Sequence, residues 1–255
     1  MERLAAITRD RTLGELRRVA VENYAQDDGL PPEHWFWDKK VSGGILVEHG
    51  VHFIDMVHAL SDQRPVKICG ASHCRREGME DQVTATVVYD RGLVATHYHA
   101  FARPGYFEAT SVRFVFDLGQ FDLAGWIPLD GTFNALVSAE TRRRLEAIPE
   151  VHLSAVMDVM KMKDISRLEG WGESEIPLPD SSPTRVCSGG IEYEVSEAVK
   201  GVINTGKSKQ DVYEESVCRV LADLIAKIED PTHEQRTPLS TGLESLRIAC
   251  EAGSL

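Results

Sequence analysis

The 255-residue chain carries no excess of positive charge: 28 Lys and Arg stand against 40 Asp and Glu, a formal net charge of −12. Neutralising phosphate backbones needs a basic surface, so the composition argues against a nucleic-acid partner. The short basic run Arg142, Arg143, Arg144 reads as the solvated side of a helix. No apolar run reaches the roughly 20 residues that a membrane-crossing helix needs, and Met1–Asp10 has no signal-peptide core, so no membrane association is expected. Cysteine is sparse. The five present (Cys69, Cys74, Cys187, Cys218 and Cys250) are odd in number, and only the first two lie close together. That excludes a disulfide framework and a C-x-x-C metal knuckle, and suits reduced thiols in the cytoplasm. Also missing is any G-x-G-x-x-G that follows a strand. Gly170-Trp171-Gly172 is a bare G-x-G and reads as a loop. Internal repeats and low-complexity tracts are absent as well.

Hydrophobic residues make up 42% and charged residues 27%, enough apolar content for a sizeable core. Glu2–Arg11 reads as a helix ended by Gly14, and Leu16–Tyr24 as a strand. Gln26–Pro32 is a polar loop, followed by the aromatic cluster His34, Trp35, Phe36, Trp37. Gly43–Leu60 is strongly apolar and helical, and is expected to be buried on most sides. From Pro65 the pattern turns to strands, over Val66–Ser72, Gln82–Tyr89, Leu93–Phe101, Ser111–Phe116 and Gln120–Ala124. Asp90-Arg91-Gly92 predicts a hairpin between the second and third. Ala139–Ile148 reads as a helix, while Val156–Lys163 and Glu192–Ile203 fit either helix or strand. Ser208 with Asp211 starts a helix over Gln210–Ile228, and Thr241 with Glu244 reads as a capping box for Leu243–Ala252. The whole is an α+β pattern with a large, mostly antiparallel sheet and helices on one face.

The chemistry-bearing segment is Gly43–Asp55, GGILVEHGVHFID. On a helix Glu48 and His52 are four apart, and His52 and Asp55 three apart, so all three share one face. Ionisable groups on an apolar helix cost free energy unless they are paired or used. The pattern fits His52 as a base with a carboxylate fixing its tautomer, and it equally fits a satisfied core histidine. His49 and His52 could join His97 and His99 around a zinc ion, but no H-E-x-x-H occurs and no metal is expected.

Ser42–Leu60 resembles the G-G-x-x-x-D-x-G-x-H-x-x-D helix of the glucose–fructose oxidoreductase and inositol dehydrogenase (Gfo/Idh/MocA) family. Leu13-Gly14-Glu15-Leu16-Arg17 resembles its L-G-E-[VI]-R element, and Ser240–Leu255 its closing helix. Glu150–Ser182 fits poorly. The resemblance implies the substrate-binding, sheet-rich half of an NAD(P)-dependent oxidoreductase acting on a sugar, polyol or related hydroxy compound. Residues 1–25 would be the end of a Rossmann domain and a crossover strand, and residues 26–255 a substrate-binding and oligomerisation domain. His52 matches the family's acid/base. Glu48 stands where the family has a shorter Asp, and Asp55 matches a residue that contacts substrate hydroxyls. His34, Trp37 and Lys39 would line the same cleft, or else pack against the helix. With the Rossmann domain and the Glu-Lys-Pro lysine motif absent, the chain alone is expected to bind no cofactor and to transfer no hydride. NAD(P) would belong to a completed protein.

The expected partners are a hydroxylated small molecule and either a second copy, through the open sheet face, or a nucleotide-binding chain. Apolar surface is expected around Leu4, Ile7, Trp35 and the motif helix. Two other readings stand beside this one: a non-catalytic oligomerisation or binding protein, and a cofactor-independent lyase or metal-dependent hydrolase using Glu48 and His52.

Overall fold

The computed structural model describes residues 1–158 and 184–254. A short helix α1 (Glu2–Arg9) leads into strand β1 (Leu16–Gln26). A 3-10 turn at Trp35–Trp37 and a one-turn helix α2 (Lys39–Ser42) come next. The motif segment then runs as a π turn (Leu46–Gly50) continued by α3 (Val51–Leu60). Six strands follow: β2 (Pro65–Arg76), β3 (Met79–Tyr89), β4 (Val94–Arg103), β5 (Ala109–Phe116), β6 (Gly119–Ala124) and β7 (Asp130–Val137). After α4 (Ala139–Glu146) come β8 (Val151–Asp158), β9 (Thr184–Ser188), β10 (Ile191–Val195) and β11 (Glu197–Asn204). Helices α5 (Lys209–Glu229) and α6 (Leu239–Gly253) complete the described chain.

Nine strands form one sheet in the order β2-β3-β4-β1-β5-β6-β7-β11-β8, and β9 and β10 make a separate hairpin. Only β1 and β4 run parallel, with Val19 opposite Ala95, and every other neighbour is antiparallel. A parallel pair needs a crossover. Here the crossover carries the motif helix and the β2–β3 hairpin, so the helix lies on the sheet beside the pair that it connects.

Strand alternation sets which face is covered. Val19 and Val21 of β1, Ala85 and Val87 of β3, Ala95 of β4, and Phe114, Phe121 and Phe133 of the later strands all point to one side and are buried. Val87, Ala95, Val19, Phe114, Phe121 and Phe133 are register-paired in turn across the sheet. Ile54, Val57 and Leu60 of α3 and Ile248, Ala249 and Ala252 of α6 are buried in the same core. The other face presents half-exposed polar residues such as Thr96, Tyr98 and Gln120.

The expected α+β architecture is present, with these differences. β7 was not expected. Its positions Phe133, Ala135 and Val137 are buried while Thr132 and Asn134 are exposed, a weak alternation masked by the polar residues. Glu192–Ile203 resolves into strand, with β10 and most of β11. Val156–Asp158 belongs to β8, and residues 159–163 lie outside the described residues, as do Gly170-Trp171-Gly172 and nearly all of Glu150–Ser182 beyond β8. The Ser208–Asp211 capping box forms. The Thr241–Glu244 box does not. Helix α6 begins four residues before Leu243, at Leu239, and Thr241 Oγ1 donates to the Pro238 carbonyl while Glu244 pairs with Arg247. Leu4 and Ile7, expected to be uncovered, are each 3% exposed, because α1 packs its apolar side against α3.

The C-terminal end of α6 rests directly on β2. A Cβ at Gly70 would stand 2.0 Å from the Ala252 carbonyl oxygen, so this contact admits only glycine. Gly70→Ala should therefore push the helix off the sheet edge and cost about 1–3 kcal/mol, the usual range for overpacking. Urea unfolding of the variant checks this, and an unchanged midpoint would contradict the seating described.

Candidate active site

The start of the motif helix needs a left-handed backbone. Gly43 (φ 79°) and Gly44 (φ 88°) supply it, and a Cβ on Gly43 would lie 2.5 Å from Val47. This turn aims the Ile45 N–H at Glu80 Oε1 (3.1 Å), across on β3. The other Glu80 oxygen pairs with Lys39 Nζ at 3.3 Å, and Lys39 also donates to the Gly253 carbonyl at 2.7 Å. Lys39 thus ties α2 to β3 and to the end of α6.

The helix then departs from regular α geometry. Leu46–Gly50 is a π turn, which inserts an extra residue into the repeat. Glu48 lies inside it and His52 just after it. The four-residue spacing that stacks them on an α-helix no longer applies. Among the described residues no hydrogen bond or ion pair joins His52 to Glu48 or to Asp55. Glu48 is half-buried and has no polar partner there. Asp55 instead faces α6. Ser245 Oγ lies 3.2 Å from Asp55 Oδ1, 3.0 Å from His58 Nδ1 and 2.8 Å from the Thr241 carbonyl. Its single proton serves Asp55 or Thr241, and it can accept from His58.

His52 is exposed and stands edge-on to Trp126, with ring centroids 6.0 Å apart. Behind it runs a row of imidazoles. His49 stacks at a tilt against Trp126 (4.7 Å) and meets His99 at 5.5 Å, and His99 stacks on His97 at 6.3 Å. His97 and His99 point from β4 to the covered face, opposite Ala85 and Val83 of β3. Gly50 lets the π turn approach them, since a Cβ there would lie 3.4 Å from His99 Nε2. Both ring nitrogens of His97 and His99 are buried with no hydrogen-bond partner among the described residues. Burial disfavours the charged imidazole and pushes His49 and His97 down to about 4, and His99 well below its ordinary value. Mutual repulsion adds to this: from His52 on His49, from His58 on His97, and from His97 and His49 on His99. At neutral pH these three are uncharged, poor bases.

The aromatic segment does not converge on His52. Trp37 is buried and its Nε1 donates to the Leu30 and Pro31 carbonyls, and Arg75 lies over its ring at 5.1 Å. His34 Nδ1 accepts from the Phe36 N–H and so caps the 3-10 turn. His34 and Trp37 line a second concavity with Glu77 and Met79, away from His49, His52 and Asp55. The segment approaches the imidazole row through Phe36, which packs on Phe101 beside His49. Trp126 is the wall that the sequence did not advertise. It follows β6 in a loop, with no periodic signal to mark it.

No group of three or more His, Cys, Asp or Glu among the described residues is arranged to hold a metal ion. The glycine pair at the helix start does not suit a pyrophosphate either, because the N–H of Ile45 is already bound to the Glu80 carboxylate. Among the described residues no helix is long and apolar enough to cross a membrane.

Residues 1–121 match the family model described as the GFO/IDH/MocA C-terminal domain. The match covers a little under half of the chain, its N-terminal 121 of 255 residues. Its fold is shared with UDP-N-acetylglucosamine 3-dehydrogenase from Acidithiobacillus ferrooxidans (TM-score 0.55, 12% identity, 98% of this chain and 60% of that one). It is also shared with an aldose-aldose oxidoreductase from Caulobacter crescentus complexed with glycerol (0.55, 14%, 98% and 57%). A third is a biliverdin reductase from Synechocystis sp. PCC 6803 in complex with biliverdin and NADP+ (0.54, 11%, 98% and 58%). At such identities the likeness concerns the fold alone. The chain spans less than two thirds of the length of these structures. No curated protein matches it. The motif helix lies within the matched residues and on the large sheet, with His52 exposed.

Three imidazoles with lowered folded-state values make stability depend on pH. The unfolded chain binds their protons near 6.5, whereas in the folded chain His49 and His97 resist until about 4 and His99 is held well below its ordinary value. Stability is then fully present above 6.5 and falls as pH drops through that window, by up to about 1.4 kcal/mol per pH unit for a fully buried imidazole. Urea midpoints measured from pH 7.5 to 4.5 should fall, and His99→Phe should make the slope shallower. A flat profile in the parent chain would contradict the buried row.

Proposed function

We propose that this domain binds a hydroxylated small molecule, a sugar, polyol or related compound, at the Trp126 side of the motif helix, with His52 as the group that takes or returns a hydroxyl proton. The observation that carries the reading is that His52, of the imidazoles around this helix, is the exposed one, and it abuts a half-exposed tryptophan. An aromatic face beside an acid/base suits a ring that is apolar on one side and hydroxylated at its rim. In this reading Glu48, half-buried and without a polar partner among the described residues, polarises a bound hydroxyl or orients His52 once a ligand closes the gap. Asp55 acts more remotely than the family pattern implies, because its carboxylate is bonded to Ser245.

NAD(P) would supply the hydride acceptor in a completed oxidoreductase. The described residues offer it no glycine cradle, so we infer that the chain alone transfers no hydride and that residues 1–25 form the crossover from a nucleotide-binding domain. Calorimetry with NADH and NADPH should show no micromolar binding by the isolated chain, and a clear micromolar affinity would overturn this. Saturation-transfer NMR with glucose, inositol and glycerol should detect weak binding that His52→Asn and Trp126→Ala each reduce about tenfold, the weight of one good polar or stacking contact. Binding unchanged in both variants would remove His52 and Trp126 from the site.

Apolar surface supports a partner. Helix α5 has no buried residue, and it exposes Tyr213, Val217, Leu221, Leu224 and Ile228 at spacings of three and four, with Leu239 and Leu243 of α6 also bare. A stripe of this length usually marks an interface. We infer cover by a nucleotide-binding chain or by a second copy, the open sheet face being the other candidate surface. Five exposed free thiols fit a reducing, cytoplasmic setting. Analytical ultracentrifugation should find self-association that Leu224→Glu with Ile228→Glu reduces. A monodisperse monomer in the parent chain would count against the inference.

A further inference from the structure

The aromatic segment that does not reach His52 builds a concavity of its own, of about 460 Å³. That falls within the roughly 300–1,000 Å³ of small-molecule sites. Trp35, Trp37, Val41 and Met79 give it apolar walls, and Glu33, Asp38 and Glu77 bring three carboxylates. No Lys or Arg lines it, although Lys40 and Arg76 are near neighbours in sequence. Neither Glu33 nor Glu77 makes a hydrogen bond or ion pair among the described residues. Asp38 uses one carboxylate oxygen, Oδ1, on the Lys40 N–H. Elsewhere on this surface carboxylates are commonly matched to a nearby guanidinium, as Asp122 is to Arg113 and Glu197 to Arg142.

The walls are also held in place. Trp37 is fixed by two hydrogen bonds from its indole N–H, and Phe36 is wedged between Trp37, to which it stands edge-on, and Phe101, against which it is tilted. Trp35, by contrast, is 50% exposed with His34 beside it at 5.5 Å. A large exposed indole on a rigid turn is costly to leave in water, and its face attracts positive charge. The protein itself demonstrates the chemistry, since the Arg75 guanidinium already lies over the Trp37 ring.

We propose that this concavity binds a small organic cation: an ammonium or guanidinium group on an alkyl or aryl body, the body against Trp35 and Met79 and the charge toward Glu33 and Glu77. The site is separate from the His52 reading and does not depend on it. A neutral hydroxylated ligand would use the tryptophans without needing unpaired carboxylates.

The test uses the full chain and compares benzyltrimethylammonium with benzyl alcohol and glucose, following tryptophan fluorescence and ligand-observed NMR. The cation should bind saturably and at least about tenfold tighter than benzyl alcohol, the scale of a cation–π contact with charge complementarity. Trp35→Ala, and separately Glu33→Gln with Glu77→Gln, should each weaken it several-fold and leave the circular dichroism spectrum intact, since all three residues lie at the surface. The double carboxamide variant should lose the preference for the cation while keeping weak benzyl alcohol binding. No saturable binding of the cation, equal binding of the neutral probes, or indifference to both variants would overturn the proposal.

Discussion

The Glu80 carboxylate holds together the parts on which the candidate site depends. One oxygen accepts the Ile45 N–H at the start of the motif helix, and the other pairs with Lys39, which in turn reaches the carbonyl of Gly253. One buried-side carboxylate on β3 thus joins the helix start, α2 and the end of α6. Charge-assisted bonds of this kind are short and directional, so they fix the entry angle of the helix as well as its position. The π turn follows within one residue of this anchor, and it swings His49 into the sheet face and His52 outward.

Burying that face has a consequence. Val and Ala fill the neighbouring positions on β1 and β3, but β4 places two imidazoles under the helix with no partner for their ring nitrogens among the described residues. Buried polar groups without partners are rare in folded proteins and are tolerated where something else is gained. Here the neutral row separates the exposed His52 imidazole from the apolar core. The opposite end, Asp55–Ser245–His58, is polar and satisfied, and it ties α3 to α6. The two ends of the helix are therefore anchored by ionic and hydroxyl contacts, and its middle by packing against histidines.

Much of the fold was legible. Val- and Thr-rich alternation marked β1 to β6 because each strand buries one side, and period two survives any choice of partner. The hairpin at Asp90-Arg91-Gly92 was local chemistry. What failed was non-local. The Thr241–Glu244 box gave way because Pro238 could start α6 earlier and Arg247 drew Glu244 away. Leu4 and Ile7 looked uncovered because their partner helix lies some fifty residues on. Trp126 carried no signal, since a loop residue is placed by the strands it joins.

The amino-acid sequence alone determined the sheet-and-helix class, the glycine pair that opens the motif helix, and the family to which residues 1–121 point, because these rest on backbone preference, periodicity and fixed spacing. Only the tertiary structure decided which ionisable groups meet. A π turn of one extra residue parted Glu48 from His52, Ser245 of α6 engaged Asp55, and the register of β4 brought His97 and His99 under His49. The physical reason is reach: side-chain pairing is settled over a few ångströms, and those ångströms are set by strand pairings between residues far apart in the chain.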